Sequence, residues 1–139
     1  MKVYLYFAGK PKDAHANALA AEYIRRAHRY TPCTMTEYRP GRADFWSKHP
    51  GAKKIMLDPA GKPLDSERFA DLFAQGEMRG HDLVFVVGGH DGLAPEWRER
   101  ADLLLSLSAL TMPHEMARAV LAEQIYRAFT ILRGHPYPR

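Results

Sequence analysis

The chain has 139 residues, 46% of them hydrophobic and 26% charged, with a formal net charge of +4. That length and balance suit one folded domain with a packed core, residues 1–139, and exclude a disordered, fibrous or low-complexity polypeptide. The lone Cys33 excludes an internal disulfide and no apolar run approaches the ~20 residues of a membrane helix, so a soluble chain in the reducing cytoplasm is expected.

Residues 2–8 alternate and are rich in β-branched and aromatic side chains, which predicts a first strand ending at Gly9. Lys10-Pro11-Lys12 is a turn. Asp13 is placed to cap a helix running to about Tyr30, with Leu19, Tyr23 and Ile24 on its apolar face. Arg25, Arg26 and Arg29 fall near its end, where cations complement the helix dipole; contact with RNA is the other reading of Arg25 and Arg26. After Pro32, residues 33–38 read as a second strand. Arg39 to Ala52 reads as a loop with room for one helical turn around Phe45-Trp46. Lys53 to Asp58 is a third strand, ended by the turn Pro59 to Pro63.

Asp65 or Ser66 caps a helix with Phe69, Leu72 and Phe73 on its apolar side, reaching about Gly76. Asp82 to Val87 is a near-continuous apolar run, as expected of a strand buried on both faces of a parallel sheet. Pro95 starts a short helix to about Ala101, and Leu103 to Leu107 is a fifth strand. Thr111 is the expected cap, and Pro113 the expected first-turn residue, of a last helix reaching about Leu132. The tail from Gly134 cannot be helical, since Pro136 and Pro138 interrupt it. Together these elements predict a three-layer α/β/α domain with a mostly parallel sheet.

Charge is unevenly spread along the chain. Residues 1–54 hold 11 Lys/Arg against 4 Asp/Glu, residues 55–113 hold 5 against 10, and residues 114–139 hold 4 against 2. A basic first third and tail suit an anionic partner such as nucleic acid, or simply a solvated basic face.

The window from Val84 to His114 carries the chemistry. Gly88-Gly89-His90-Asp91-Gly92 follows a strand, but it is neither G-x-G-x-x-G nor a P-loop. Its glycines let a backbone approach a ligand, or simply make a turn. Ser106 to Pro113 is small and uncharged beside a helix start, and suits an adenine or ribose better than a bare phosphate. His114, at a helix start where the dipole favours the neutral imidazole, is a candidate general base; a purely structural histidine stays open. His135, Tyr137 and Arg139 cluster in the tail, where stacking and phosphate contact compete with a frayed end. Seven histidines and one cysteine show no metal-ligand spacing, so no metal site is expected.

Three segments, in order, carry a specific resemblance: Val86-Val87-Gly88-Gly89-x-x-Gly92-Leu93-Ala94-Pro95, then Leu105 to His114, then Ala122 to Phe129 with His135-Pro136-Tyr137. The chain resembles the RlmH-type methyltransferases of the SPOUT class, densely from about Lys53 onward and more weakly before it. The resemblance implies an α/β fold with a C-terminal trefoil knot, S-adenosylmethionine as cofactor, a homodimer, and methylation of N3 of a pseudouridine in 23S ribosomal RNA of the large subunit. It implies a cofactor pocket of Leu57, Gly88, Gly89, Ser108, Ala109, Leu110, Thr111, Met112 and Pro113. It places His114 at the chemistry with Tyr137 and Arg139 as orienting groups, and makes Arg25, Arg26, Arg118 and His135 candidates for ribosomal RNA contact. Three features depart from the family pattern. His90-Asp91 replaces Pro-Glu in the glycine turn, Pro138 replaces a tail histidine, and a lysine-rich insert after the second strand is missing. A non-catalytic ribosome- or RNA-binding protein of the same fold, or a methyltransferase for another RNA, stays open; the intact Ser108–Pro113 pattern favours the enzyme.

Overall fold

The structure, a computed structural model, describes residues 1–137. Its strands are β1 (Val3–Ala8), β2 (Cys33–Tyr38), β3 (Lys53–Pro63), β4 (Leu83–Val87) and β5 (Leu103–Ser106). The helices are α1 (Ala14–Ala27), α2 (Phe45–Lys48), α3 (Ser66–Arg79), α4 (Pro95–Arg100) and α5 (His114–Arg133). The strands form one sheet in the order β2-β1-β4-β3-β5, and every neighbouring pair is parallel. The expected α/β/α sandwich is therefore observed.

Period-two alternation divides β1 between two cores. Val3, Leu5 and Phe7 join Ile55, Phe85, Leu105 and the apolar stripes of α1, α3 and α5 in the larger cluster. Tyr6 and Ala8, with Met56, Val84 and Val86, meet Phe45, Trp46 and Trp97 of the short helices α2 and α4 on the opposite face. β4 sits mid-sheet and is buried throughout, which is why its sequence is all apolar.

The caps follow sequence chemistry. Asp13 Oδ1 accepts from the amides of His15 and Ala16, and Asp65 Oδ1 accepts from that of Arg68. α1 stops at Ala27, short of Tyr30; α3 runs past the buried Gly76 to Arg79, where Gly80 in the left-handed region ends it. Cys33, at the start of edge strand β2, is 4% exposed, and burial pushes its thiol up to about 12.

Two expectations need correction. The turn Pro59–Pro63 does not end β3: Leu57 pairs with Leu105, the chain bulges outward, and Lys62 and Pro63 return to Leu105 and Ser106. A Cβ on Gly61 would lie 2.6 Å from the Leu104 carbonyl oxygen, so only glycine lets the bulge close against β5. Nor does Thr111 cap α5. Pro113, with φ −57° and ψ 149°, is the residue flanking the helix, and no side chain caps its end. Thr111 lies two residues before Pro113, too early for its hydroxyl to serve the first-turn amides.

Candidate functional site

The C-terminal ends of β3, β4 and β5 open into one cleft of about 410 Å³, the position at which open parallel sheets receive ligands. Leu57 to Pro59 form one wall, Val87 to Leu93 the second and Leu105 to Pro113 the third; His114 and Ala117 of α5 close it. All nine residues expected to hold a cofactor line this cleft, and so does His114. Ser106 and Leu107, in the segment read as suited to an adenine or ribose, also line it, as do Asp58, His90 and Leu93, which sequence reading did not single out as ligand residues.

Backbone conformation shapes the walls. In the glycine turn the Gly92 amide donates to the Gly89 carbonyl at 3.0 Å, and Gly92 has φ 74°. A Cβ on Gly88 would lie 2.9 Å from the Gly92 carbonyl carbon, so the turn folds back on itself only because Gly88 has no side chain. In the third wall Ser108 Oγ accepts from the Leu110 amide at 3.0 Å, and Ser106 Oγ donates to the Ser108 carbonyl at 3.1 Å. These hydroxyls hold the loop's shape, leaving main-chain groups to meet a ligand. Among the described residues no lysine or arginine lines the cleft, and the one carboxylate among them that does, Asp58, pairs with Arg98 at 2.7 Å. Such a surface suits a flat, partly apolar ligand carrying positive charge and disfavours a bare phosphate.

A second network fixes the mouth of the cleft. Glu115 Oε1 accepts from the amide of Lys12 at 2.6 Å and from Asn17 Nδ2 at 2.9 Å. The Lys12 amide, the Asn17 side chain and the Asp13 amide lower the Glu115 carboxyl from 4.5 to about 2. Arg118 donates to Asn17 Oδ1 at 2.7 Å and to the Ala8 carbonyl at 3.1 Å, with its guanidinium 4.0 Å from the centre of the Phe7 ring. Together they clamp the β1–α1 loop onto the start of α5, beside His114; a Cβ on Gly9 would lie 3.8 Å from His114 Nε2. Sequence reading missed this clamp. Its one visible sign was the i,i+3 spacing of Glu115 and Arg118.

The expectation for Arg118 is overturned. It is fully buried, committed to Asn17 and Ala8, and unavailable to a phosphate. Arg25 and Arg26 are at the surface but both pair with Glu22, and Arg26 also lies over Tyr23. His135 is exposed, and its Nδ1 accepts from the Tyr137 amide at 3.2 Å. Tyr137 folds back on its own chain: its hydroxyl donates to Glu123 Oε2 at 2.8 Å, and its ring centre lies 4.7 Å from that of Tyr126. Burial, with the Tyr23 and Glu123 hydrogen bonds, raises the Tyr137 hydroxyl well above the usual tyrosine range, so it serves as a donor. Arg139 and Pro138 lie outside the described residues.

His114 opens α5, whereas Tyr137 returns to its middle at Glu123 and Tyr126, ~14 Å or more along the helix axis. One chain does not bring them together.

The geometry agrees with comparisons to known proteins. A family model described as predicted SPOUT methyltransferase matches residues 1–138. Over all 139 residues the chain is 67% identical to the ribosomal RNA large subunit methyltransferase H of Solibacter usitatus, covering all of that protein. It is 40% identical over 139 residues to the protein of the same name from Thermus thermophilus, covering 99% of it. Among solved structures, a protein from Haemophilus influenzae assigned to a methylase family superposes with a TM-score of 0.66 at 10% identity, over 99% of this chain and 70% of that one. A protein from Legionella pneumophila assigned as a methyltransferase and solved with bound SAM gives a TM-score of 0.55 at 12% identity, over 92% of this chain and 66% of that one; at such identities the likeness concerns the fold.

Proposed function

Since the chain belongs to the SPOUT methyltransferase family, we propose that it methylates N3 of a pseudouridine in the 23S ribosomal RNA of the large subunit. The observation that carries this reading is the full-length similarity to relatives named ribosomal RNA large subunit methyltransferase H.

The cleft fits S-adenosylmethionine. Its apolar walls from Leu57, Leu107 and Met112 suit a flat adenine, and the main chain of Ser108 to Pro113 offers hydrogen bonds to its edge. Among the described residues no unpaired lysine or arginine lines the cleft to repel a sulfonium. When bound, S-adenosylmethionine supplies an electrophilic methyl group. The protein's own task is then to hold the acceptor in line and to take up the N3 proton. His114, held by the Glu115–Arg118 clamp at the mouth of the cleft, is the candidate base. Tyr137 and Arg139 are proposed to orient the RNA and stabilise developing charge. For Tyr137, this requires the tail of a second copy.

A homodimer is the proposed assembly. Leu19 and Met116 are 49% and 47% exposed; Asn17 and Glu115, which hydrogen-bond to each other, are their near neighbours in sequence. Pairing of these α1 and α5 surfaces with those of a second copy, antiparallel, would carry one tail to the other cleft. We propose that all 139 residues act as one domain, with the family's C-terminal trefoil knot, in the cytoplasm; among the described residues no helix is long and apolar enough to cross a membrane.

The test is direct. Purified protein, labelled S-adenosylmethionine and ribosomes from a strain lacking the gene are incubated, and the large-subunit RNA is mapped by mass spectrometry. One added methyl on N3 of a pseudouridine is expected. Cofactor binding without transfer to that RNA would point instead to another RNA, and no cofactor binding at all would sink the enzyme reading.

A further inference from the structure

The two faces of the sheet are unequally covered. α1, α3 and α5 blanket one, whereas α2 and α4, with four and six residues, cover only part of the other. What they leave bare is a groove of about 570 Å³ across β1 and β2, toward the N-terminal ends of the strands. Its floor is set by register: Tyr4 lies beside Thr34, and Tyr6 beside Thr36. Both threonines are exposed, Tyr4 is half-buried, and the Lys48-His49 segment forms the wall.

The chemistry of the groove is mixed. The Tyr4 and His49 ring centres are 4.3 Å apart, and the Tyr4 and Tyr6 rings are nearly parallel, 13° apart in tilt. The Tyr6 hydroxyl lies 2.8 Å from His49 Nε2. Burial, then Lys48 and Lys54, lower the His49 imidazole from its ordinary value, against the opposite influence of Asp82. A neutral ring that accepts from Tyr6 at Nε2 carries its own N–H on Nδ1, ready to donate. Lys48 is exposed. Lys54, buried beneath it, donates to the His49 carbonyl. Asp82 is the groove's carboxylate and already accepts from the Lys2 amide at 2.8 Å. His81, also in the lining, has a buried Nε2 with no hydrogen-bond partner.

We propose that this groove seats an unpaired nucleotide of the RNA substrate, as a contact separate from the methylation cleft; the proposal rests on the RNA reading above. An unpaired base exposes a face for the Tyr4–His49 aromatic pair and an edge for hydroxyl and imidazole donors. Lys48 supplies the charge for a phosphate from the exposed wall, while Asp82 is engaged by the Lys2 amide. A duplex hides both base faces, so the partner is single-stranded. The groove lies toward the strand ends opposite the cleft, ~15 Å along β1, so the nucleotide held there is not the methyl acceptor.

Isotope-labelled full-length protein titrated with hexauridylate and hexaadenylate tests this by amide chemical shifts. Shifts at Tyr4, Thr34, Thr36 and His49 are expected, with residues 108–113 unmoved. The variant Lys48→Glu, at an exposed position, should weaken hexamer binding at least about fivefold. It should raise KM for ribosomal RNA while leaving kcat and cofactor affinity unchanged. Tyr4→Leu keeps apolar bulk and should weaken the hexamer similarly. Shifts confined to the cleft, no shifts at all, or unchanged hexamer binding in folded Lys48→Glu would overturn the groove. Groove shifts in a protein that transfers no methyl group to large-subunit RNA would sink the rRNA assignment alone.

Discussion

The start and the middle of α5 are built from the same residue types and serve different purposes. At its start, Glu115 and Arg118 bind the β1–α1 loop, with Arg118 sealed from water against Phe7. At its middle, Glu123 and Arg127 pair at 2.6 Å and flank Tyr137, with both charged side chains still partly exposed. Desolvation separates them. A guanidinium with no access to water must keep its partners, so the start of α5 is rigid and fixes the mouth of the cleft. The partly exposed middle pair can exchange its partners for solvent or for RNA at lower cost.

Removing Arg118 should break that comparison most severely. Arg118→Met leaves the Ala8 carbonyl and Asn17 Oδ1 without their donor, and should lower stability by about 3–5 kcal/mol in urea unfolding; a loss below about 1 kcal/mol would make the two pairs alike. Next in size is Gly88→Ala. Its methyl group meets the Gly92 backbone, so a destabilisation of about 1–3 kcal/mol is expected, with cofactor binding weakened at least about tenfold by calorimetry. Tyr137→Phe removes the hydroxyl that donates to Glu123 and should cost only about 1 kcal/mol, while lowering turnover on ribosomal RNA if the tail serves a partner's cleft.

The smallest effect is read by pH. The Glu115 carboxyl is lowered from 4.5 to about 2 in the fold. Its contribution is therefore fully present above the unfolded value and is lost as pH falls from 4.5 toward 2. Melting temperature should fall less steeply over that window in Glu115→Gln than in the wild type. Glu22, lowered to about 2 by its hydrogen bonds to Arg25 and Arg26, contributes a parallel slope. A Glu22→Gln comparison removes the α1 share.

Much of the fold was legible because local chemistry and tertiary placement agree. The apolar run Leu83–Val87 could only be a central strand, and Asp13 and Asp65 cap where their side chains predict. The cleft walls were legible because two follow strands directly, the third sits at the bulge of β3, and all carry glycine, serine or proline. Arg118 was not: on a helix it looks like any surface arginine, and only the packing of α5 against β1 removes it from water. The Tyr4, Thr34 and His49 groove was hidden for the same reason, since three distant segments meet there only after strand pairing. The return of β3 at Lys62 was masked by turn residues that in fact form a bulge.

Cys33 gives the molecule a clock. As the chain's single thiol, buried at the head of edge strand β2 and pushed up to about 12, it is shielded from alkylating reagents while β2 stays docked on β1. The rate at which a thiol reagent captures it therefore counts the openings of that edge. RNA bound across Thr34 and Thr36 would slow the count, whereas cofactor bound in the cleft would leave it nearly unchanged.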